Sequence, residues 1–426
     1  MRPTYLPQLL CLLTSITLAA AQDSPAFYLR NSDRVVFYGD SITDQRLYTV
    51  FTETYVVTRF PHLRVSFVHS GWGGDRVSGG GGGPIDLRLR RDVIAYDPTV
   101  MTIMLGMNDG SYRAFDPGIF DQYARGYEHI LAVLKRALPD LRLTLIQPSP
   151  FDDVTRPPKF EGGYNQVLER YSQFVQELAQ SNHLAVADLN TPVVAALEKA
   201  KAANADLAQR ILPDRVHPGP GGHLLMAEAL LKAWHAPALV ASVEIDAAGN
   251  RVVGTGNARV TRLQSAAGVT WTERDDCLPM PVDMNDPVVA LAINSSDFVS
   301  ALDQEPLKVT GLTAARYTLK IDGVEAGTFT REELAAGINL ALLPTPMAKQ
   351  AAEVQRLTVE HNNIHFTRWR QVQVPLAREL AKDQSPRVQR AVRELMGALD
   401  ADESAVVRQQ HAAAQPVPHQ FDLSPQ

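Results

Sequence analysis

Between residues 33 and 240, short continuous apolar runs alternate with longer stretches whose apolar positions recur every three to four residues. The runs are Val35 to Tyr38, Arg64 to Val68, Thr99 to Leu105, Leu141 to Gln147 and Leu184 to Asp188. They are rich in Val, Ile and Leu, as strands are when both faces of a sheet are covered. The periodic stretches are Leu47 to Arg59, Asp86 to Ala95, Pro117 to Leu138, Gly163 to Ser181, Thr191 to Ala202 and Gly222 to Trp234. Strands alternating with helices predict a three-layer α/β/α sandwich around a five-stranded parallel sheet, with ligands bound beyond the carboxyl ends of the strands. We assign this domain to residues 31–240.

After residue 240 the pattern changes. Tyr317 to Ile321 and Glu325 to Thr330 alternate around Asp322-Gly323, a hairpin signal. Residues 271 to 310 show little periodicity and several prolines, and read as mostly loop. The span 241–345 is therefore expected to be a small β-containing accessory region. Helical periodicity resumes at Pro346 and continues through a charged, Ala-rich stretch, giving a helical region over 346–413. Residues 414–426 read as a disordered tail.

Composition narrows the function. Lys plus Arg number 41 against 47 Asp plus Glu, a net charge of −6, and no long basic run is present. Nucleic-acid binding, which leans on basic surface, is excluded as a partner class. The first 21 residues read separately: Arg2, an apolar stretch from Leu9 to Ala20, and small residues at Ala19-Ala20-Ala21. This is the pattern of a cleaved secretory signal peptide, with Gln22 as the mature start. Its apolar core is shorter than the roughly 20 residues a spanning helix needs, so the expectation is a secreted or periplasmic protein without stable membrane insertion. Cleavage leaves Cys277 as the sole cysteine, so no internal disulfide is expected.

The candidate chemistry lies at the predicted strand ends. Tyr38-Gly39-Asp40-Ser41-Ile42-Thr43-Asp44 leaves the first strand through a tight turn into a helix. Ser41 there is either a helix N-cap or a nucleophile whose own N–H can help bind an oxyanion. Asp214-Arg215-Val216-His217-Pro218 offers a base: Asp214, three residues before His217, can bond the imidazole Nδ1 and leave Nε2 for a serine. His69-Ser70-Gly71-Trp72-Gly73-Gly74-Asp75 and Gly106-Met107-Asn108-Asp109 follow strands two and three. Backbone N–H groups and a side-chain amide at one sheet edge are the makings of an oxyanion hole.

The order Gly-Asp-Ser, glycine loop, Gly-x-Asn-Asp and Asp-x-x-His resembles the SGNH/GDSL hydrolase family over residues 33 to 235. That resemblance implies a flavodoxin-like sandwich and a serine ester hydrolase that needs no metal or organic cofactor. Ser41 is then the nucleophile, His217 the base and Asp214 its orienting acid. Gly74 and Asn108 complete the oxyanion hole with the Ser41 N–H. Gly74 is preferred to Gly71 because it directly precedes Asp75, although Gly73 and His69 depart from the family's usual serine and asparagine. The form of the first block is most similar to that of carbohydrate O-acetylesterases, so acylated carbohydrate is the expected substrate. Lipase, lysophospholipase or thioesterase activity is the alternative within the family, and a non-catalytic carbohydrate-binding protein the alternative outside it.

Asp40, Trp72, Tyr112, Phe151 and Arg156 fall on or beside loops at the active edge and are candidates for substrate contact. The run Gly79 to Gly83 is expected to be a mobile loop. His361 and His365, spaced i, i+4, read as surface residues of a helix rather than a metal pair, because the zincin glutamate is missing.

Overall fold

The computed structural model describes residues 26–379 and 385–426. The expected signal peptide lies outside the described residues.

The first half is built from β1 (Arg34–Gly39), α1 (Ser41–Asp44), α2 (Leu47–Arg59), β2 (Ser66–Gly71), α3 (Ile85–Asp92), β3 (Val100–Met104), α4 (Pro117–Ala137) and β4 (Arg142–Ile146). It continues with α5 (Gly163–Ser181), β5 (Ala185–Ala187), α6 (Thr191–Ala203), α7 (Ala205–Ala208) and α8 (Pro220–Ala233). The strands form one parallel sheet in the order β2-β1-β3-β4-β5. Helix α4 shows why the layers hold. Asp116 caps it by accepting from the Gly118 and Ile119 N–H groups, and Pro117 occupies the first turn, where an N–H would go unused. Tyr123, Tyr127, Ile130 and Leu134 recur on one face and are all but fully buried. The two tyrosine hydroxyls donate to the Leu105 and Ile103 carbonyls. Each apolar side chain so buried contributes about 1.5–3 kcal/mol.

Register positions the functional edge. Gly39 at the end of β1 pairs with Gly71 of β2 on one side and Met104 of β3 on the other. The three loops that leave these strands therefore emerge side by side, as the sequence reading required.

The second half contains β6 (Ser242–Asp246), β7 (Arg251–Gly256), β8 (Ala258–Ser265), β9 (Val269–Asp275), α9 (Pro287–Asn294), α10 (Phe298–Leu302) and β10 (Pro306–Thr310). Then come β11 (Arg316–Ile321), β12 (Val324–Thr330), α11 (Arg331–Ala336), β13 (Ile338–Asn339) and α12 (Pro346–Phe366). A π-helical segment (Thr367–Gln373), α13 (Val374–Glu379), α14 (Pro386–Ala413) and β14 (His419–Pro425) complete the chain. Two sheets result, β8-β9-β14-β11-β12 and β13-β10-β6-β7. The hairpin β11–β12 turns at Asp322 and Gly323, both with positive φ.

Two expectations are corrected here. Residues 271–310 are not mostly loop: they hold the rest of β9, then α9, α10 and β10. These elements are too short to establish a periodicity, and Pro287 starts a helix, with Asp286 capping it. The tail is not disordered either. His419, Phe421 and Leu423 are buried on one face, and β14 pairs antiparallel with β9 and β11. Phe421 stacks on Trp271 at 4.9 Å. Three alternating residues were the whole signal, among polar and proline neighbours.

Helix α12 packs on α2 around Glu53, which is 2% exposed. Glu53 accepts from His361 Nε2 at 2.5 Å, Gln410 Nε2 at 2.9 Å and His69 Nε2 at 3.1 Å. His361 and His365 are thus buried between helices, not on a helix surface. Burial alone would lower the His361 imidazole, but Glu53 and Glu403 outweigh it and lift it to about 10. Against its own burial, Glu53 is held well below the usual carboxylate range by His361 and His69. Charges this deep persist only when paired, so the pair fixes where the C-terminal helices sit.

Candidate active site

Ser41 opens helix α1, and Asp40 is the N-cap: its Oδ1 accepts from the Ile42 N–H at 3.0 Å. The cap role therefore belongs to Asp40, leaving the Ser41 hydroxyl free to face a base. In a first turn the Ser41 N–H has no intrahelical partner. Loop β2–α3 comes close because residue 71 is glycine. A Cβ there would stand 2.2 Å from the Asp44 backbone nitrogen.

The candidate base, His217, sits on the loop before α8. Asp214 Oδ1 accepts from the Val216 and His217 N–H groups at 2.9 and 2.7 Å, and its Oδ2 lies 2.7 Å from His217 Nδ1. These His217 and Val216 donors outweigh partial burial and hold the Asp214 carboxyl below its ordinary value. His217 Nε2 lies 2.8 Å from Ser41 Oγ. With Nδ1–H donated to Asp214, Nε2 is the acceptor for the serine hydroxyl. Side-chain exposures of 36% for His217 and 57% for Asp214 put the array at the surface, open to a bulky substrate.

The glycine loop lies against the other end of α1, at Asp44. Gly73 N–H donates to Asp44 Oδ2 at 3.0 Å, and Asp75 N–H donates to the Trp72 carbonyl at 3.1 Å. Between them Gly74 has φ +76°, a conformation that favours glycine, with nothing within 4 Å of where a Cβ would stand. Its neighbours' N–H groups are used while its own has no hydrogen-bond partner among the described residues. Asn108 Nδ2 donates to the Asp75 carbonyl at 3.0 Å, and its Oδ1 accepts from the Tyr112 hydroxyl at 2.9 Å. The amide is thereby oriented, and one Nδ2 hydrogen remains.

Of the five substrate-contact candidates, only Tyr112, 42% exposed, presents an open face. Burial, with Asp40 and Asp214 nearby, pushes its hydroxyl up to about 12, so it stays a donor. Asp40 is buried as a cap, and burial, with Asp109 and Asp75 adding to it, pushes its carboxyl up to about 7. Phe151 is 4% exposed, packed on Tyr164. Arg156 faces away: its guanidinium donates to the carbonyls of Gln209, Leu212 and Pro213, stapling the stretch that leads to Asp214. Trp72 is half-buried beneath Arg370. Aromatic and basic residues next to an active edge look alike in sequence whether they pack or protrude.

One residue that shapes the site, Arg88, gave no sequence signal. Arg88, wholly buried, donates from Nε to Asp75 Oδ2 at 2.8 Å, from Nη2 to the Ser70 carbonyl at 2.8 Å, and from Nη1 to Asp92. Asp109 Oδ1 accepts from Val77 N–H at 3.0 Å, and burial pushes its carboxyl up to about 6. The Gly79 to Gly83 run is a tight hairpin, Gly79–Gly80 pairing with Gly83–Pro84, and it packs on Trp72. Among the described residues, no three His, Cys, Asp or Glu side chains converge to hold a metal ion. Cys277 is buried and donates to the Val240 carbonyl, and burial pushes its thiol up to about 12.

The protein is an ester-hydrolysing enzyme built on an α/β/α sandwich. Residues 37–225 match the GDSL-like Lipase/Acylhydrolase family, which places this domain among the SGNH/GDSL hydrolases. An acetylxylan esterase of Geobacillus stearothermophilus is 24% identical over 229 residues, 47% of this chain and 94% of the relative. A solved structure of a gut microbial diltiazem-metabolizing enzyme, 25% identical, superposes with a TM-score of 0.81 over 94% of this chain and 99% of its own. The second likeness extends through the accessory sheets and C-terminal helices.

Proposed function

We propose that this enzyme removes O-acetyl or other short acyl groups from carbohydrate outside the cytoplasm, with Ser41 as nucleophile. In this mechanism Ser41 Oγ attacks the ester carbonyl while His217 Nε2 takes its proton. Asp214 holds the imidazole and offsets the imidazolium charge. The tetrahedral oxyanion is met by the N–H groups of Ser41 and Gly74 and the Asn108 amide. His217 returns the proton to the departing alcohol, and water then releases the acid by the same route.

The observation that carries the reading is the 2.8 Å approach of His217 Nε2 to Ser41 Oγ, backed by Asp214 at 2.7 Å. The acetylxylan esterase relative supports an acetylated polysaccharide as substrate, and so does the surface exposure of His217 and Asp214, which a polymer-borne ester can reach. Export rests on the signal-peptide pattern. No helix among the described residues is long and apolar enough to cross a membrane. Hydrolysis of p-nitrophenyl esters from acetate to palmitate, followed by acetylated xylan, tests the reading. Turnover confined to short chains, with acetate released from xylan, is expected. A maximum at palmitate would replace it with a lipase.

Asn108→Ala tests the oxyanion hole. Losing one preorganised donor costs about 2.7–4 kcal/mol of transition-state stabilisation. Steady-state kinetics should therefore show kcat for p-nitrophenyl acetate down by about 10²–10³-fold with KM little changed. A rise in KM alone would move Asn108 from the oxyanion to ground-state binding.

A further inference from the structure

The glycine loop is held by residues nearly three hundred positions downstream. The π-helical segment that follows α12 lays the Arg370 guanidinium 3.0 Å from the centre of the Trp72 ring. Arg370 Nη2 also lies 3.7 Å from Asp44 Oδ2, the oxygen that accepts the Gly73 N–H at 3.0 Å. The preceding residue, Trp369, is 1% exposed. Its ring meets Trp72 edge-on at 5.8 Å, and its Nε1–H donates to Asp92 Oδ1 at 2.6 Å. Asp92 is the carboxylate that shares Arg88 with Asp75. The glycine hairpin packs on the same indole: a Cβ on Gly82 would stand 2.7 Å from it.

These contacts bear on one peptide. The Gly74 N–H belongs to the Gly73–Gly74 peptide unit, whose direction depends on how residues 72 and 73 are held. Asp44 holds Gly73 by its N–H, and Arg370 holds both Asp44, by charge, and Trp72, by a cation–π contact. A planar guanidinium can serve both partners at once. We infer that Arg370, with Trp369 behind it, is a positioning residue for the oxyanion loop, so that the C-terminal segment forms part of the catalytic apparatus. The inference rests on the reading of Gly74 as an oxyanion donor.

The test is a kinetic cycle in the full-length protein with p-nitrophenyl acetate: Arg370→Ala, Asp44→Asn and the double variant, beside Ser41→Ala and Asn108→Ala. A misplaced donor acts on the transition state, and a shift of about 1 Å can cost 10²-fold. Arg370→Ala should lose about 10–100-fold in kcat with KM within about twofold of wild type. In the Asp44→Asn background the same change should cost much less, because both act through Gly73. Arg370→Lys should restore part of kcat, since an ammonium keeps the charge beside Asp44 and over the indole. Losses that simply add, or that track a fall in melting temperature, would overturn the inference and leave Arg370 a packing residue. Unchanged kcat in Arg370→Ala would overturn it too. If Arg370→Ala fails to fold, Arg370→Met, which keeps the stem on Trp72, carries the same comparison. Activity retained in Ser41→Ala would instead sink the catalytic reading. Loss in Ser41→Ala and Asn108→Ala with none in the Arg370 variants sinks only the positioning role.

Discussion

Ser41→Ala is expected to lower kcat for p-nitrophenyl acetate by about 10⁴–10⁶-fold, the range seen when a nucleophile that works as one unit with its base is removed. His217→Ala should fall equally far, because a serine hydroxyl without an acceptor for its proton is a poor nucleophile. Combining the two should cost hardly more than either alone. That non-additivity distinguishes a coupled pair from two residues that each help binding. Asp214→Ala should cost less than either. Its carboxylate stands 57% exposed, where water replaces part of its field, and His217 also keeps a second fix through the Pro218 backbone constraint. Should Ser41→Ala retain more than about a hundredth of wild-type activity, another nucleophile carries the reaction.

The strand ends could be read because strands buried on both faces leave continuous apolar runs, and crossover topology brings their carboxyl ends together. Strand β2 shows where the signal fades. The reading placed it at Arg64 to Val68, whereas it runs to Gly71, since His69 and Ser70 are polar yet buried, bonded to Glu53 and to the Asp92 carbonyl. Polar residues satisfied inside the fold look like loop in sequence. For the same reason Glu53, Arg88 and His361 pass for solvent-facing positions of helices until their partners, some as far as 357 residues away, are known. The second half was harder to read, since its sheets join distant segments: β14 inserts between β9 and β11. Short-range periodicity carries no information about such a pairing. Trp369 and Arg370 fall in the same class. Nothing local marks them as neighbours of Trp72.

Arg88→Met is the stability change with the largest expected effect, about 3–5 kcal/mol, the cost of breaking a buried ion pair on one side. Methionine fills much of the stem volume, so the loss is mainly that of charge and hydrogen bonds. Asp92 keeps Arg91 and the Trp369 indole as partners. Asp75 does not: among the described residues Arg88 is the only donor to its Oδ2, and its Oδ1 already lacks one. Burial holds the Asp75 carboxyl above its ordinary value even in the wild type, with Arg88 pulling the other way. Removing Arg88 will raise it further. A carboxyl with a raised folded-state value binds its proton more tightly in the native than in the unfolded chain. Stability is therefore lost as pH rises from the ordinary carboxylate value through the raised one, and regained on acidification. Urea midpoints should place Arg88→Met far below wild type at pH 8 and closer to it at pH 5. Adding Asp75→Asn should recover part of the deficit at pH 8 and flatten its pH dependence. A deficit below about 1 kcal/mol that ignores pH would mean water reaches Asp75 once Arg88 is gone, and that the network contributes loop geometry more than stability.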